Sequence, residues 1–353
     1  MAENTVSRPR VLREVPGFIV LYEDGSTERS PLPTVPVSAD FVDGVATKDV
    51  IINPRTGTWA RIFLPQSVVG RGPTSSRTPL VLHFHSGGMC LGSPASVNTH
   101  RFCSRMASAS SSIWISVYYR LAPEHRLPVQ YQDCFESLCW LRAQFTSTED
   151  PQDMPQISVP GQKPWEVKKV DFLSAEREPW VVHHGDATRV FCTGESAGAT
   201  ILHFMALEIV KRNCSPLNIK GLMYVDLGVL TDPLPEMTPS TDPAVTTKMM
   251  ETFVALCLPV GAKLGDSVLD CLHPNSTGLF KLPWPPVLML TAGRDLLRES
   301  GMRYFNSLKE AHKDVDIHDS AGKGHCFNLS EVDSEAAKLR EKTMIQFMNK
   351  HCL

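Results

Sequence analysis

The sequence predicts an α/β fold with a mostly parallel central sheet flanked by helices. Three observations support this prediction: apolar runs of strand length recur along the chain, helix-length segments separate them, and glycine or proline bounds many of the runs. Such runs are typical of strands buried on both faces, and their alternation with helices is typical of a parallel sheet. The 353 residues are enough for one large domain or two small ones.

Two hairpins are predicted before the parallel part of the sheet. Residues 17–22 and 26–29 flank the turn sequence Glu23-Asp24-Gly25, and residues 47–52 and 58–64 flank a turn that contains Asn, Pro and Gly. Turn residues of this kind between two extended runs favour a hairpin.

Strands and helices are then expected to alternate. The predicted strands are 79–84, 112–119, 189–194, 220–225, 286–291 and 315–319. The predicted helices are 97–110, 131–145, 197–212, 247–257, 299–312 and 331–350. Segment 146–180 is rich in Pro, Asp, Gln and Lys and is predicted to be a surface excursion, and 231–247 is predicted to be a Pro/Thr-rich connection.

Composition and charge exclude several classes of protein. The chain has 35 basic and 38 acidic residues and no basic run, which argues against a nucleic-acid partner or an anionic membrane surface. Its ten cysteines form no CxxC pair, so zinc-knuckle and thioredoxin-type sites are not expected. No signal peptide or apolar stretch of about 18 residues is evident, so we expect no membrane span and a cytoplasmic location.

The strongest local signal is the sequence Gly194-Glu195-Ser196-Ala197-Gly198. It ends one apolar run and opens a helix-like run, which is the context of a nucleophile elbow, a sharp strand-to-helix turn that exposes a serine. A GxSxG match can also arise by chance, but the strand before it and the helix after it make chance a poor explanation. Ser196 is therefore the candidate nucleophile.

A serine nucleophile needs a base, and the base needs an acid that orients it. His325 lies in a glycine-rich loop after a predicted strand, whereas His203 and His318 lie in predicted elements and are expected to be packed. The acid candidates are Asp226, Asp232, Asp295 and Glu299. Asp295 directly follows a strand, where α/β sites gather, although it could equally be a helix N-cap.

Acyl transfer also needs donors for an oxyanion. The run 79–84 ends in His85-Ser86-Gly87-Gly88, where glycines allow two backbone N–H groups to point at one oxygen, and Ala197 would add a third. A plain glycine turn is the alternative, and a phosphate loop is excluded because GxxxxGK[ST] is absent. A metal site at the neighbouring histidines has no completing ligands, so no metal and no cofactor are predicted.

Together these motifs resemble plant carboxylesterases of the hormone-sensitive-lipase-like group of α/β-hydrolases, which also contains the gibberellin receptors. The resemblance covers most of the chain. It is carried by the segments 14–18, 44–50, 60–65, 85–88, 119–125, 131–133, 258–262, 292–297 and 324–327 in addition to the elbow.

The resemblance implies an α/β-hydrolase fold with a helical cap. It implies Ser196 as nucleophile, His325 as general base and then acid, and Asp295 as its orienter, with an oxyanion hole formed by Gly87, Gly88 and Ala197. Because these motifs run from the loop 85–88 to His325, one domain over 1–353 is expected. The cap is expected from about 1–45 and 231–275.

Three departures from the family pattern stand out. Ser86 replaces the first glycine of HGGG, Glu195 stands where many plant members have Asp, and an insertion of roughly 30 residues is predicted at about 147–177. The function expected is a serine carboxylesterase for a small-molecule ester. Two alternatives stay open: a gibberellin-receptor-like binding protein, although receptors lose the histidine, and a non-hydrolytic lyase or cyclase, although dehydratase relatives carry Thr at the serine position.

Overall fold

The computed structural model of the protein describes residues 9–69, 77–146, 177–230, 232–265, 269–272 and 281–352. A small antiparallel sheet at the N-terminus consists of β1 (Val11–Val15), β2 (Ile19–Tyr22) and β3 (Thr27–Arg29). Gly25 adopts a φ of 83° in the turn between β2 and β3, a conformation that glycine takes without a steric penalty. The first predicted hairpin is thus confirmed.

Among the described residues, eight strands form the central sheet. They are β4 (Val45–Asn53), β5 (Thr58–Pro65), β6 (Thr78–Phe84), β7 (Ile113–Tyr118), β8 (Gly185–Glu195), β9 (Ile219–Val225), β10 (Val287–Ala292) and β11 (Val315–Ser320). Their spatial order is β11-β10-β9-β8-β6-β7-β5-β4. The pairs β4/β5 and β5/β7 are antiparallel and the others are parallel, which confirms the mostly parallel α/β sheet.

Helices cover the sheet on both faces. They are α1 (Val97–Ser110), α2 (Val129–Ala143), α3 (Pro179–His184), α4 (Ala197–Lys211), α5 (Thr247–Cys257), α6 (Arg298–Glu310), α7 (Phe327–Ser330) and α8 (Glu335–His351). Two separate hydrophobic clusters lie against the sheet, one containing α2 and α4 side chains and the other α1 and α8 side chains. The sheet is therefore the middle layer of three.

The predicted strands and helices all match observed elements, with shifted ends. The last helix begins at Glu335 rather than 331, because Ser334 caps it by accepting a hydrogen bond from the Ala337 amide. The short helices α3 and α7 were not predicted. Of the predicted insertion at 147–177, residues 147–176 lie outside the described residues.

The topology gathers four chain segments at one edge of the sheet. Parallel strands β6, β8, β9 and β10 all point their carboxyl ends to this edge, where ligand sites of open α/β sheets lie. The segments that leave these strands begin at His85, Ser196, Asp226 and Gly293. The loop after β11 carries His325 to the same edge.

Candidate active site

Ser196 lies on a sharp turn between β8 and α4. Its φ of 54° and ψ of −118° are sterically costly for a residue with a Cβ, and such strain persists only where the surroundings enforce it. Close packing requires glycine at both glycine positions of the motif. A Cβ on Gly194 would collide with the Gly198 carbonyl, and a Cβ on Gly198 would collide with the Phe84 carbonyl. The Ser196 amide donates to Val225 O at 2.9 Å, which joins the turn to β9.

The structure brings Ser196, His325 and Asp295 together in one hydrogen-bonded chain. His325 Nε2 lies 2.7 Å from Ser196 Oγ, and His325 Nδ1 lies 2.7 Å from Asp295 Oδ2. The second Asp295 oxygen accepts the Leu297 amide at 2.9 Å, which fixes the carboxylate. With Nδ1–H directed at the carboxylate, Nε2 is left to accept the serine proton.

Two opposing effects act on the pKa of His325. Burial lowers it, whereas the neighbouring Cys326 and Asp295 side chains raise it, so the side chains around the ring favour the imidazolium that forms once Nε2 has taken a proton. Burial also raises the pKa of the Cys326 thiol, to about 11, so the thiol is neutral near pH 7. The Asp295 carboxylate is therefore the charge that stabilises a protonated imidazole at this pH.

The loop after β6 lies beside Ser196. Gly87 and Gly88 have φ values of 116° and 60°, and a Cβ on Gly87 would collide with the Leu91 carbonyl, so this backbone path requires glycine. Within the described part of the chain, neither glycine amide donates a hydrogen bond to another protein group. Both N–H groups are therefore free to bind an anionic oxygen, as the sequence predicts for Gly87 and Gly88 together with Ala197.

His85 holds the base of this loop. Its ring stacks on Tyr119 with 4.2 Å between ring centroids, and Nδ1 donates to the Ser86 carbonyl at 2.7 Å. The Tyr119 hydroxyl donates to the His85 carbonyl at 2.8 Å. Burial lowers the pKa of His85 to about 3, so this ring is neutral and structural.

A cavity of about 220 Å³ opens above Ser196 and His325. Helix α5 contributes Met249, Met250 and Phe253, and the N-terminal sheet region contributes Phe18. Of the described residues that line the cavity, none is Asp, Glu, Lys or Arg. Because an unpaired charge is costly to desolvate in such surroundings, the cavity suits an uncharged ligand.

Behind the serine lies a buried polar cluster that the sequence analysis missed. Glu195 lies 2.8 Å from His83 Nε2, and His83 Nδ1 lies 2.9 Å from the Ser116 hydroxyl. Burial opposes a charge on His83, but the nearby Cys103 and Glu195 side chains raise its pKa to about 10. The residue beside Ser196 is thus one half of a buried ion pair, and no local motif indicates this because its partner is 112 residues away.

The other sequence candidates do not join the chain of three. His203 is buried and bonded to the Tyr304 hydroxyl at 2.7 Å, as expected for a packed histidine. His318 lies in the edge strand β11 and is only partly buried. Asp226, His325 and Cys326 lie close enough to hold a cation. However, Arg340 already pairs with Asp226, and both ring nitrogens of His325 are engaged, so this donor set does not fit a resident metal.

Within the described ranges, no helix is long and apolar enough to cross a lipid bilayer. The structure is similar to an esterase of Pyrobaculum calidifontis, with a TM-score of 0.62 and 22% identity over 86% of this chain and 84% of that one. At this identity the likeness supports the fold alone.

Two plant relatives are similar over nearly their whole length. The 2-hydroxyisoflavanone dehydratase of Glycyrrhiza echinata is 28% identical over 95% of both chains. A probable carboxylesterase 13 of Arabidopsis thaliana is 29% identical over 91% of this chain and 92% of its own. These relatives confirm the resemblance to the plant group. A family model described as alpha/beta hydrolase fold matches residues 81–329, more than half of the sequence, and the chain therefore belongs to this α/β-hydrolase family.

Proposed function

We propose that this protein is a serine carboxylesterase that hydrolyses small, uncharged carboxylic esters. The observation that carries the proposal is the hydrogen-bonded chain at the cavity floor, with 2.7 Å between Ser196 Oγ and His325 Nε2 and 2.7 Å between His325 Nδ1 and Asp295. A relative named as a probable carboxylesterase supports the same reaction class.

In the proposed mechanism, His325 Nε2 takes the Ser196 proton as Oγ attacks the ester carbonyl carbon. The tetrahedral oxyanion is stabilised by the N–H groups of Gly87, Gly88 and Ala197, and Asp295 stabilises the imidazolium. His325 then protonates the leaving alcohol, which leaves an acyl group on Ser196. Water activated by His325 repeats the sequence, releases the carboxylic acid and restores the serine hydroxyl.

The proposal also assigns a cap to the parts of the chain above the cavity. Phe18 and the α5 residues Met249 and Phe253 lie over the site, which agrees with a cap formed from about 1–45 and 231–275. Excluding water from the cavity would strengthen the electrostatic interactions at Ser196. We further propose a cytoplasmic location, which imaging of a fluorescent fusion in plant cells would test.

The decisive experiment uses a fluorophosphonate probe, which labels an activated serine covalently. We expect labelling of the wild type, none of Ser196→Ala, and full labelling of Ser307→Ala, a control serine on helix α6 whose hydroxyl donates to the Arg303 carbonyl. Turnover of p-nitrophenyl acetate should follow the same pattern. Labelling of Ser196→Ala, or failure to label the wild type, would contradict the proposal.

A second candidate is elimination without hydrolysis, because one relative is named as a dehydratase. The two reactions differ in their products: hydrolysis gives an acid and an alcohol, whereas elimination of water gives an alkene from a hydroxyl-bearing substrate. Mass spectrometry on a hydroxyisoflavanone and on an ester panel separates them. Product only from the ester panel would support the esterase.

A further inference from the structure

A second buried ion pair lies beneath the loop that carries His325. Asp226 directly follows β9, and Arg340 lies on α8 with 1% of its surface exposed. Two hydrogen bonds join the side chains: Arg340 Nη1 lies 2.8 Å from Asp226 Oδ2, and Arg340 Nη2 lies 3.2 Å from Asp226 Oδ1. Neither residue belongs to the proposed reacting groups, so the role of the pair is open.

Asp226 connects this pair to the active-site loop. Its Oδ2 atom accepts the backbone N–H of Cys326 at 2.8 Å, and Cys326 is the residue directly after His325. The Asp226 amide donates to Leu290 O in β10 at 2.8 Å, so the carboxylate is held on the sheet. The position of the His325 backbone is thus tied to the sheet through one carboxylate oxygen.

Arg340 in turn holds Asp226 in place. Besides the carboxylate, it donates to the Thr291 carbonyl at 2.7 Å and to Asn328 Oδ1 at 2.9 Å, and its guanidinium packs on the Phe327 ring at 4.3 Å. Phe327 and Asn328 follow His325 along the chain, and Thr291 lies on β10. One planar cation therefore joins the segment after His325 to Asp226 and to β10, which a single apolar side chain could not do.

The backbone beneath His325 is strained at both ends of this hydrogen bond. Cys326 has a φ of 51° and Asp226 a φ of 47°, and neither is glycine. Left-handed conformations of such residues persist only where the surrounding contacts enforce them, and they concentrate at functional sites. The Asp226–Cys326 hydrogen bond is the contact that joins the two strained residues.

The pairing with Arg340 also neutralises the Asp226 carboxylate, which lies close to His325. A carboxylate oxygen of Asp226, a ring nitrogen of His325 and the Cys326 sulfur all lie within 4.8 Å of one another. An unpaired Asp226 would compete with Asp295 for the imidazole, because both are carboxylates at short range. Arg340 neutralises it, as His83 neutralises Glu195 behind the serine.

We propose that Asp226, held by Arg340, is a positioning residue that fixes the His325 imidazole relative to Ser196 through the Cys326 amide. The inference rests on the proposed function, because it assumes that His325 acts as the base. A buried ion pair is weak evidence for stability, since apolar replacements of similar volume are often neutral or stabilising. Its position directly under the loop that carries His325 therefore favours a role in aligning the imidazole.

The test compares two double variants that both remove the buried charges. Asp226→Asn/Arg340→Gln keeps an oxygen that can accept the Cys326 N–H, whereas Asp226→Ala/Arg340→Met does not. We expect the first to keep kcat within about threefold of the wild type. The second should lose kcat on the order of 10- to 100-fold with little change in KM, which is the size expected from misplaced reacting groups. Both are assayed well below the lower Tm, so that each is folded.

Fluorophosphonate labelling rates give the second measurement, because they report serine activation without turnover. The acceptor-free double variant should label more slowly by the same factor as its kcat falls. Equal kcat in the two variants, or a loss confined to KM, would overturn the positioning role. Failure of the proposed function is recognised separately, because the wild type itself would then neither label nor turn over esters.

Discussion

The floor and the roof of the cavity are built differently. The floor consists of Gly194, Ser196, Gly198, Asp295 and His325 at the sheet edge, where main chains are in van der Waals contact and polar atoms are paired. The roof consists of Phe18 and the α5 residues Met249, Met250 and Phe253, which are only partly buried or exposed. From this contrast we expect the floor to determine the proposed reaction and the roof to determine which ligands fit.

The roof is joined to the floor at a few points. The Phe253 ring lies so close to Gly88 that a Cβ there would be 2.8 Å from it, and the Cys257 thiol donates to the Gly88 carbonyl at 3.1 Å. Arg29 of β3 donates to the Cys90 carbonyl at 2.8 Å. The loop that carries the proposed oxyanion donors therefore joins the two regions, and we expect changes in the roof to act on the proposed reaction through this loop.

The largest effect is expected where main chains touch in the floor. Gly198→Ala places a methyl group against the Phe84 carbonyl, so the turn must open, and we expect a loss of roughly 3 kcal/mol or more in the free energy of unfolding. Urea unfolding measures it. Gly261→Ala is the control without a steric collision, because Gly261 has no atom within 4 Å; its positive φ alone should cost only about 1–2 kcal/mol. Equal losses of stability in the two variants would contradict the idea that close main-chain packing distinguishes the floor.

The next effect concerns the buried pair behind the serine. His83→Leu leaves Glu195 charged and unpaired, so the free energy of unfolding should fall by about 3–5 kcal/mol. His83→Gln/Glu195→Gln, which removes both charges but keeps hydrogen-bonding groups, should recover most of this loss. If the double variant is no more stable than His83→Leu, the uncompensated charge is not the cause.

The same pair predicts how stability depends on pH. Because the pKa of His83 is raised from 6.5 to about 10, the folded protein binds an extra proton between these values. The stabilisation by protonated His83 is complete below pH 6.5 and is lost as the pH rises towards about 10. Urea unfolding at about pH 7 and pH 9.5 should show a steeper loss for the wild type than for the Gln/Gln variant. If both proteins lost the same amount of stability between these pH values, His83 would not be the cause of the pH dependence.

A smaller and more selective effect is expected in the roof. Phe253→Ala removes a ring that lies over Gly88 and limits the cavity, so bulkier acyl groups should be accepted. We expect the ratio of kcat/KM for long-chain over short-chain p-nitrophenyl esters to rise on the order of 10-fold, as expected when a few methylene groups gain contacts. Leu339→Ala on the exposed face of α8 is a control that should leave the ratio unchanged. An unchanged ratio in Phe253→Ala would mean that the roof does not set chain-length preference.

The smallest effect is expected at the contact between Arg29 of the N-terminal sheet and Glu124. Arg29 donates to Glu124 at 2.7 Å, and this hydrogen bond lowers the pKa of Glu124 to about 2 although its carboxylate is partly exposed. Glu124→Gln should therefore change the free energy of unfolding by less than about 1 kcal/mol near pH 7. The difference should vanish as the pH falls from 4.5 towards 2, where the wild-type carboxylate is protonated. A larger loss would indicate that the N-terminal sheet is part of the cooperative core.

Much of the floor could be predicted from sequence because its signals are local. The elbow is a five-residue motif, and a strand before it and a helix after it can be recognised from apolar patterning. Asp295 and His325 could be chosen because each follows a predicted strand, and parallel strands bring their carboxyl ends to one edge. The structure places these two side chains beside Ser196, at hydrogen-bonding distance.

The supporting ion pairs could not be predicted in this way. Glu195 is 112 residues from His83, and Asp226 is 114 residues from Arg340, so no window of the sequence contains both partners. Asp226 even qualified as an acid candidate, since it also follows a strand. Only the path of α8 across the sheet decides that its partner is a guanidinium rather than the imidazole.

The sequence by itself determined the order of strands and helices, the elbow and the residue types at the sheet edge, because periodicity and turn chemistry act over a few neighbouring residues. The tertiary structure alone decided which charges meet. A buried charge must find its partner across the packed layers, since an unpaired one is too costly to desolvate, and that choice depends on contacts between distant parts of the chain.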